Sequence, residues 1–179
     1  MCGVPYHHVD EYVGKLIEKG QKVAICEQVE NPAEAKGIVR REVVRIITPG
    51  TVIEDSMLDE GLNNYLACLC SFEKTYGFCF TDASTGECHA TYVANDKTSI
   101  ALMDEISRFA PKEILISDDF KGKLPAVYDY LEKYFDGMIT VRDAKSFVFT
   151  NTEELILKHF KIISTENLGI TSGSVVSSS

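Results

Sequence analysis

The pentapeptide Phe80-Thr81-Asp82-Ala83-Ser84 puts a single carboxylate at the end of an apolar run, beside a small residue and a hydroxyl. An aspartate so placed can hold a divalent cation. Two-metal hydrolysis needs three or four carboxylates converging on ions about 4 Å apart. Glu87, Asp104, Asp118 and Asp119 are the candidate companions. Asp118 and Asp119 follow the strand-like run from Glu113 to Ser117, and open sheets gather ligands at strand ends. The same residues also suit structural work. Asp82 can open an Asx turn ahead of Thr85-Gly86, and Asp118 can cap a following helix.

Other chemistries find less support. No Gly-x-x-x-x-Gly-Lys-Ser/Thr loop is present, so the backbone cradle and lysine that hold nucleotide phosphates are missing and ATP hydrolysis is not expected. His7 and His8 are adjacent, their side chains are expected to diverge, and no third ligand stands nearby. His89 and His159 are isolated. The six cysteines, at 2, 26, 68, 70, 79 and 88, form no Cys-x-x-Cys pair. Four lie inside apolar strand-like runs, which points to reduced thiols, mostly buried, rather than zinc or a disulfide framework. No cofactor and no metal are expected in this chain.

These residues need elements to position them. Val9, Tyr12, Val13, Leu16 and Ile17 follow the spacing of one buried helix face, with Gly20 as the terminating residue. Lys22 to Val29 reads as a short strand. Asn31-Pro32-x-Glu34 is a helix start with Asn as N-cap and Pro at N1. Ile38 to Thr48 is a β-branched strand, closed by Pro49-Gly50. Alternation sets Arg41 and Arg45 on one face with Val43 and Ile47, and Arg40 with Glu42 and Val44 on the other. Residues 52–64 are acidic, carry the Asn63-Asn64 turn signal and read as a linker, with one helical turn around Ser56 to Glu60.

The runs Met1-Cys2-Gly3-Val4-Pro5-Tyr6-His7, Val23-Ala24-Ile25-Cys26-Glu27-Gln28-Val29, Arg41-Glu42-Val43-Val44-Arg45 and Thr48-Pro49-Gly50-Thr51 are dense and ordered. Together they resemble the later part of the mismatch-binding domain of the MutS family of DNA mismatch-repair proteins. The resemblance implies a fragment, with the first half of that domain upstream of Met1.

A second unit starts at Tyr65. Tyr65 to Phe72, Phe78 to Ala83 and Glu87 to Val93 read as three strands joined by short turns, an antiparallel meander. The period then changes. Thr98 to Ala110 is helical, with Ile100, Met103, Ile106 and Ala110 inward and Asp96 as cap. Glu113 to Ser117 is a strand. Pro125 opens a helix with Val127, Tyr128, Leu131, Tyr134 and Phe135 on one face. Met138 to Arg142 is the fifth strand, and Thr152 caps a last helix to about Phe160. The fold class is α/β: a partial mixed mismatch-binding domain, then a βββαβαβα unit with a mixed five-stranded sheet. That order resembles the RNase H-like fold, which is the fold of the MutS connector domain. The expected boundaries are 1–51 for the partial domain, 52–64 for the linker, 65–163 for the connector and 164–179 for a flexible Ser-rich tail.

The net charge of −9 is uneven. Residues 1–51 carry 7 basic and 7 acidic side chains, the remainder 11 and 20. The second unit should therefore repel a phosphate backbone and favour protein contacts. No apolar run approaches the roughly 18 residues of a membrane helix, and no signal-peptide pattern opens the chain, so a cytoplasmic protein with no membrane partner is expected.

The resemblance implies the remaining expectations. In the family a Phe-x-Glu motif wedges beside the mismatched base. It lies upstream of Met1, as the ATPase lies in a domain further along, so ATP and Mg belong to the parent protein and this chain is expected to be non-catalytic. The segment matching Met1 to Tyr6 runs close to DNA, which makes Met1, Cys2, Gly3 and Tyr6 candidate DNA contacts. For Tyr6 packing is the favoured reading, whereas the other three stand equally for contact or for a docking turn. Arg40, Arg41 and Arg45 have carboxylates nearby and read as a solvated face. The implied partners are mismatched duplex DNA, MutL, the other MutS domains and a second MutS subunit. Lys145, Ser146, Phe147 and Phe149 form a candidate partner surface, the alternative being that both rings lie in the core.

Two further readings stay open. Phe80 to Ser84 resembles the Phe-Thr-Asp-Gly-Ser of RNase H enzymes, which gives a metal-dependent nuclease using Asp82, although Asp82 would lie one strand late. A free-standing adaptor built from the same two folds is the third.

Overall fold

The computed structural model describes residues 2–31, 37–59, 61–72, 75–94 and 99–168. The expected helix start at Asn31-Pro32-x-Glu34, the Asp96 cap, Met1 and most of the Ser-rich tail fall wholly or partly outside them.

In the first unit a 3-10 turn at Tyr6–His8 leads into α1 (Val9–Ile17), followed by the antiparallel pair β1 (Val23–Gln28) and β2 (Arg41–Ile47). α1 has Asp10 and Glu11 in its first turn and Lys15 in its last, and Lys15 Nζ meets Glu11 Oε1 at 2.6 Å. Gly20, at φ +66°, closes it. Its N–H donates to the Ile17 carbonyl and that of Gln21 to the Leu16 carbonyl, a Schellman pair. Only part of the expected helix face goes inward. Val13 and Ile17 are buried with Val9 packed beside them, whereas Tyr12 and Leu16 remain about half exposed. The partner surface is small: Ile47, Val52, Val23, Ile25, Met57 and Leu58. Two strands and one helix cannot cover a full apolar stripe.

The β1–β2 ribbon carries a register shift between Ile25 and Cys26: Ile25 faces Arg45 and Cys26 faces Val43. Strict alternation in β2 is therefore broken at Val44, as a bulge does. Val43, Val44 and Ile46 are each at least half exposed.

The second unit is a five-stranded mixed sheet of order β5-β4-β3-β6-β7: β3 (Tyr65–Phe72), β4 (Thr75–Asp82), β5 (Glu87–Ala94), β6 (Glu113–Ser117) and β7 (Met138–Arg142). β3, β4 and β5 are antiparallel, and β6 and β7 run parallel to β3. Parallel pairing needs crossovers, which α2 (Ile100–Phe109) and α4 (Pro125–Tyr134) supply. A short α3 (Phe120–Lys123), absent from the expected order, precedes α4, and α5 (Phe149–Phe160) ends the unit.

One sheet face makes the core. Ala67, Leu69, Phe78, Phe80, Ile114 and Ile116 pack against Leu102 and Ile106 of α2 and Val127 and Leu131 of α4. Four expected helix positions differ. Ile100 and Ala110 are exposed, and Leu102 rather than Met103 is buried with Ile106, so the inward stripe of α2 runs through Leu102 and Ile106. Tyr134 is exposed although Val127 and Leu131 share its expected face. Thr152 lies inside α5, buried, because that helix begins three residues earlier behind Val148.

Candidate functional site

Asp82 ends β4 and is 1% exposed. Its Oδ1 accepts from the Ser84 N–H at 2.9 Å and the Ser84 hydroxyl at 2.6 Å, and its Oδ2 accepts from the Asn64 N–H at 2.9 Å. Burial pushes the carboxyl up, but the Ser84 hydroxyl and the backbone N–H groups of Asn64, Ser84 and Thr85 outweigh it and hold the group below the usual carboxylate range. This is the Asx-turn geometry, extended by a contact to the linker.

The register separates the carboxylates that a two-metal site would need. Asp82 faces Tyr65, the first residue of β3. Asp118 follows the last residue of β6, which runs parallel to β3 with Cys68 opposite Leu115. The two lie at opposite ends of the sheet, roughly 20 Å apart at the rise of a strand. Glu87 sits across from Asp82 in the β4–β5 register, but its Oε2 takes Asn63 Nδ2 at 3.2 Å and the Tyr65 hydroxyl at 3.3 Å. Asp104 is exposed on α2. Asp118 does not cap α3. Its Oδ1 accepts from the Ala144 N–H at 3.1 Å, and Asp119 stands at the N-cap position. Asp119 accepts from Ser117 Oγ at 2.6 Å and pairs with Lys123 at 2.8 Å, and these two contacts hold its carboxyl below the usual range against its partial burial. No group of three or more His, Cys, Asp or Glu side chains among the described residues is placed to hold a metal ion.

The N-terminal segment is open. Cys2, Gly3, Val4 and Pro5 are exposed, and a Cβ on Gly3 would meet nothing within 4 Å. Tyr6 is 89% exposed, so the packing expected for it does not occur. The His7 and His8 rings do not diverge but meet at 4.3 Å between centroids. Arg40 pairs with Glu42, and Arg45 is paired with Glu54. Burial pushes the Glu54 carboxyl up, and the Arg45 guanidinium with nearby backbone N–H groups more than reverses it.

Lys145, Ser146 and Phe147 lie in a 3-10 turn, Ala144–Phe147, capped by the Asp143 carboxylate on the Lys145 N–H at 2.9 Å. Lys145 and Ser146 are exposed and Phe147 is half-buried. The backbone of Phe149 opens α5 and its side chain falls outside the description.

The feature that sequence reasoning missed is the joint between the two units. Thr48 and Thr51 form a reciprocal cap around a 3-10 turn at Pro49–Thr51. That turn inserts into the second unit. The Gly50 N–H donates to Glu113 Oε2 at 3.2 Å, the Thr140 hydroxyl donates to Glu113 Oε1 at 2.6 Å, and Asn64 Nδ2 donates to the Pro49 carbonyl at 2.9 Å. Glu113, at the start of β6, is 1% exposed. A Cβ on Gly50 would stand 2.9 Å from Glu113 Cβ and 3.0 Å from Leu66 Cδ1, so only glycine fits. Beside the joint runs a cleft of ≈ 840 Å³ lined by Gly14, Met57, Leu58, Ile106, Lys112 and Tyr130 among others. A carboxylate heading the continuous apolar run Ile114-Leu115-Ile116 was the sequence signal for this arrangement.

Two family models match the chain in succession. Residues 1–56 match MutS domain I and residues 64–179 match MutS domain II. The chain is 44% identical over 161 residues to a DNA mismatch repair protein MutS from Acetivibrio thermocellus, which covers 90% of this chain and 18% of that relative. It is 41% identical over 175 residues to one from Syntrophomonas wolfei, covering 96% and 20%, and 50% identical over 124 residues to one from Pelotomaculum thermopropionicum, covering 69% and 14%. The chain thus spans about a fifth of the length of the first two curated relatives. Among the described residues no helix is long and apolar enough to cross a membrane. With two consecutive domain matches spanning nearly all of its sequence, the chain belongs to the MutS family of DNA mismatch-repair proteins.

Proposed function

We propose that this chain serves mismatch repair as a non-catalytic relay: a DNA-facing unit coupled through a tight joint to a connector. The observation that carries the reading is the burial of the Glu113 carboxylate between the Gly50 N–H of one unit and the Thr140 hydroxyl of the other. A displacement of the first unit by DNA must move the Pro49–Thr51 turn, and that turn bears on β6 and β7 through a buried carboxylate hydrogen-bonded at both oxygens. Buried polar contacts of this kind transmit position because breaking them leaves groups unsatisfied.

In this reading Cys2, Gly3 and Tyr6 face mismatched duplex DNA, with Met1 beside them. Residues 1–51 form the DNA-facing part, 52–64 the linker and 65–163 the connector, with 164–179 as a tail. Lys145, Ser146, Phe147 and Phe149 offer a surface to MutL. The relatives are DNA mismatch repair proteins, and DNA binding, pairing with a second subunit, contact with other MutS domains and a cytoplasmic setting come to this chain by that kinship. The acidic second unit supports protein contacts over DNA contacts.

The test exchanges the matched segment of the Acetivibrio thermocellus relative for this chain and measures mutation rate in cells lacking their own repair protein. The chimera is expected to suppress mutation, and a Glu113→Ala chimera to bind mismatched duplex while failing to suppress. A folded chimera that never suppresses mutation, or one indifferent to Glu113→Ala, overturns the relay.

The nuclease reading has less behind it. It requires Asp82 and Asp118 or Asp119 to converge, and the β3–β6 register holds them at opposite ends of the sheet.

A further inference from the structure

Cys79 of β4 and Cys88 of the edge strand β5 bring their sulfurs to 3.9 Å. In the register Cys79 faces Ala90 and Thr81 faces Cys88, so the two cysteines are diagonal neighbours on the sheet face opposite the main core. Their environments differ sharply. Cys79 is 5% exposed, whereas Cys88 is open to solvent. β5 is paired with β4 on one side only, so it can adjust locally against β4 without breaking a second ladder.

We propose that Cys88 and Cys79 form a peroxide-responsive dithiol, in which solvent-facing Cys88 is oxidised first and buried Cys79 resolves it into a disulfide that staples β5 to β4. The oxidant is hydrogen peroxide. The Cys88 thiolate attacks one peroxide oxygen; the S–O bond forms, the O–O bond breaks, and hydroxide leaves to become water with one proton. Cys88 is then a sulfenic acid. The Cys79 sulfur attacks the Cys88 sulfur; the S–S bond forms, the S–O bond breaks, and the departing hydroxide takes the Cys79 proton as a second water. Two thiols and one peroxide give one disulfide and two waters, with two electrons passing from sulfur to oxygen. The sulfurs must close from 3.9 Å to about 2.05 Å.

The electrostatics agree with this division of roles. Donation from the Cys79 thiol lowers the Cys88 thiol from its ordinary value; partial burial opposes this, and the Thr81 hydroxyl and nearby His89 add to it. The Cys79 thiol is pushed up, first by that same contact and then by burial. Cys68, directly opposite Cys79 on β3, is pushed up by burial, as is Cys70. Thiols of that kind do not attack peroxide first, so oxidation starts at Cys88, and Cys79, at 3.9 Å, is the thiol placed to resolve it. Exposed Cys2 and Cys26 serve as internal references.

The experiment treats the whole chain with equimolar hydrogen peroxide, blocks residual thiols with N-ethylmaleimide and maps the products by mass spectrometry. A Cys79–Cys88 linked peptide pair is expected, reversed by dithiothreitol. At pH 7 alkylation of Cys88 should outpace that of Cys2 and Cys26 by about tenfold. Cys88→Ser should abolish the linkage, and Cys68→Ser should leave it intact. In Cys79→Ser the reaction should stop at a Cys88 sulfenic acid that dimedone traps, and Cys79→Ala repeats this without a buried hydroxyl. Alkylation of Cys88 at the rate of Cys2 and Cys26, a dominant linkage through Cys2, Cys26 or Cys68, or an unchanged product map in both Cys79 variants overturns the proposal.

Discussion

The Gly50 N–H donates to Oε2 of Glu113 over 3.2 Å, a contact between residues 63 positions apart. It joins a 3-10 turn at the end of the first unit to the first residue of β6. The same carboxylate takes the Thr140 hydroxyl of β7 at 2.6 Å. The Gly50 Cα approaches so closely that any side chain would strike Glu113 and Leu66. Gly50→Ala is therefore expected to destabilise the chain by about 1–3 kcal/mol, the usual range for an overpacked site. Glu113→Ala should cost about 1–3 kcal/mol by leaving a buried N–H and hydroxyl without their acceptor. Glu113→Gln keeps an acceptor and should cost less. Urea unfolding followed by circular dichroism measures all three; a Gly50→Ala midpoint equal to wild type contradicts the close approach.

Asp82 carries the pH signature. Its folded carboxyl is held below the usual 3.8, so it contributes stability at neutral pH. A depressed folded value means that the contribution is complete above the unfolded value near 4 and is lost as pH falls through the lower folded one. Asp82→Asn should thus lower stability at pH 7 by about 1–3 kcal/mol, the cost of a buried charge-assisted network losing its charge. The difference from wild type should narrow below pH 4. A constant difference from pH 7 to pH 2 would show that ionisation of Asp82 is not the cause. The same variant tests catalysis. Neither wild type nor Asp82→Asn is expected to cleave duplex or hybrid substrates with Mg²⁺, and cleavage lost only in the variant would restore the nuclease reading.

Much of this was legible in the residues, for identifiable reasons. The β3–β4–β5 meander follows from Thr85-Gly86 and from alternating apolar runs, and Asp82 was readable as a turn residue because Asx turns are local. What escaped was long-range. Glu113 reads as an ordinary strand residue until Gly50 is brought against it, and Asn64 reads as a turn signal although its side chain reaches the Pro49 carbonyl. Tyr12 and Leu16 keep helical spacing yet stay half exposed because too few elements surround α1. Periodicity states which side chains can be buried together, not how much surface exists to bury them.

The β1–β2 ribbon should make the chain self-associate. Val43, Val44 and Ile46 are 55%, 50% and 57% exposed on a two-stranded sheet whose strands are paired on one side only. Open strand edges with apolar side chains are templates for pairing. Light scattering is expected to show a concentration-dependent rise in mass, which Ile46→Lys reduces without loss of the folded signal. A strict monomer at high concentration contradicts this.

DNA binding by the isolated chain should be weak and without mismatch preference. The segment from Cys2 to Pro5 and Tyr6 is exposed and free to approach a duplex, but Arg40 and Arg45 are paired with Glu42 and Glu54. Fewer basic groups are then available for the phosphate backbone, whose neutralisation supplies most non-specific affinity. The acidic excess of residues 52–179 works in the same direction. Gel shifts at low salt are expected to show faint binding, equal for matched and mismatched duplexes, that disappears at physiological salt. Glu42→Gln should strengthen the low-salt complex by releasing Arg40, with a steeper dependence on salt and still no mismatch preference. Clear discrimination of a mismatched duplex at physiological salt would mean that the residues from Cys2 to Tyr6 read the mismatch themselves.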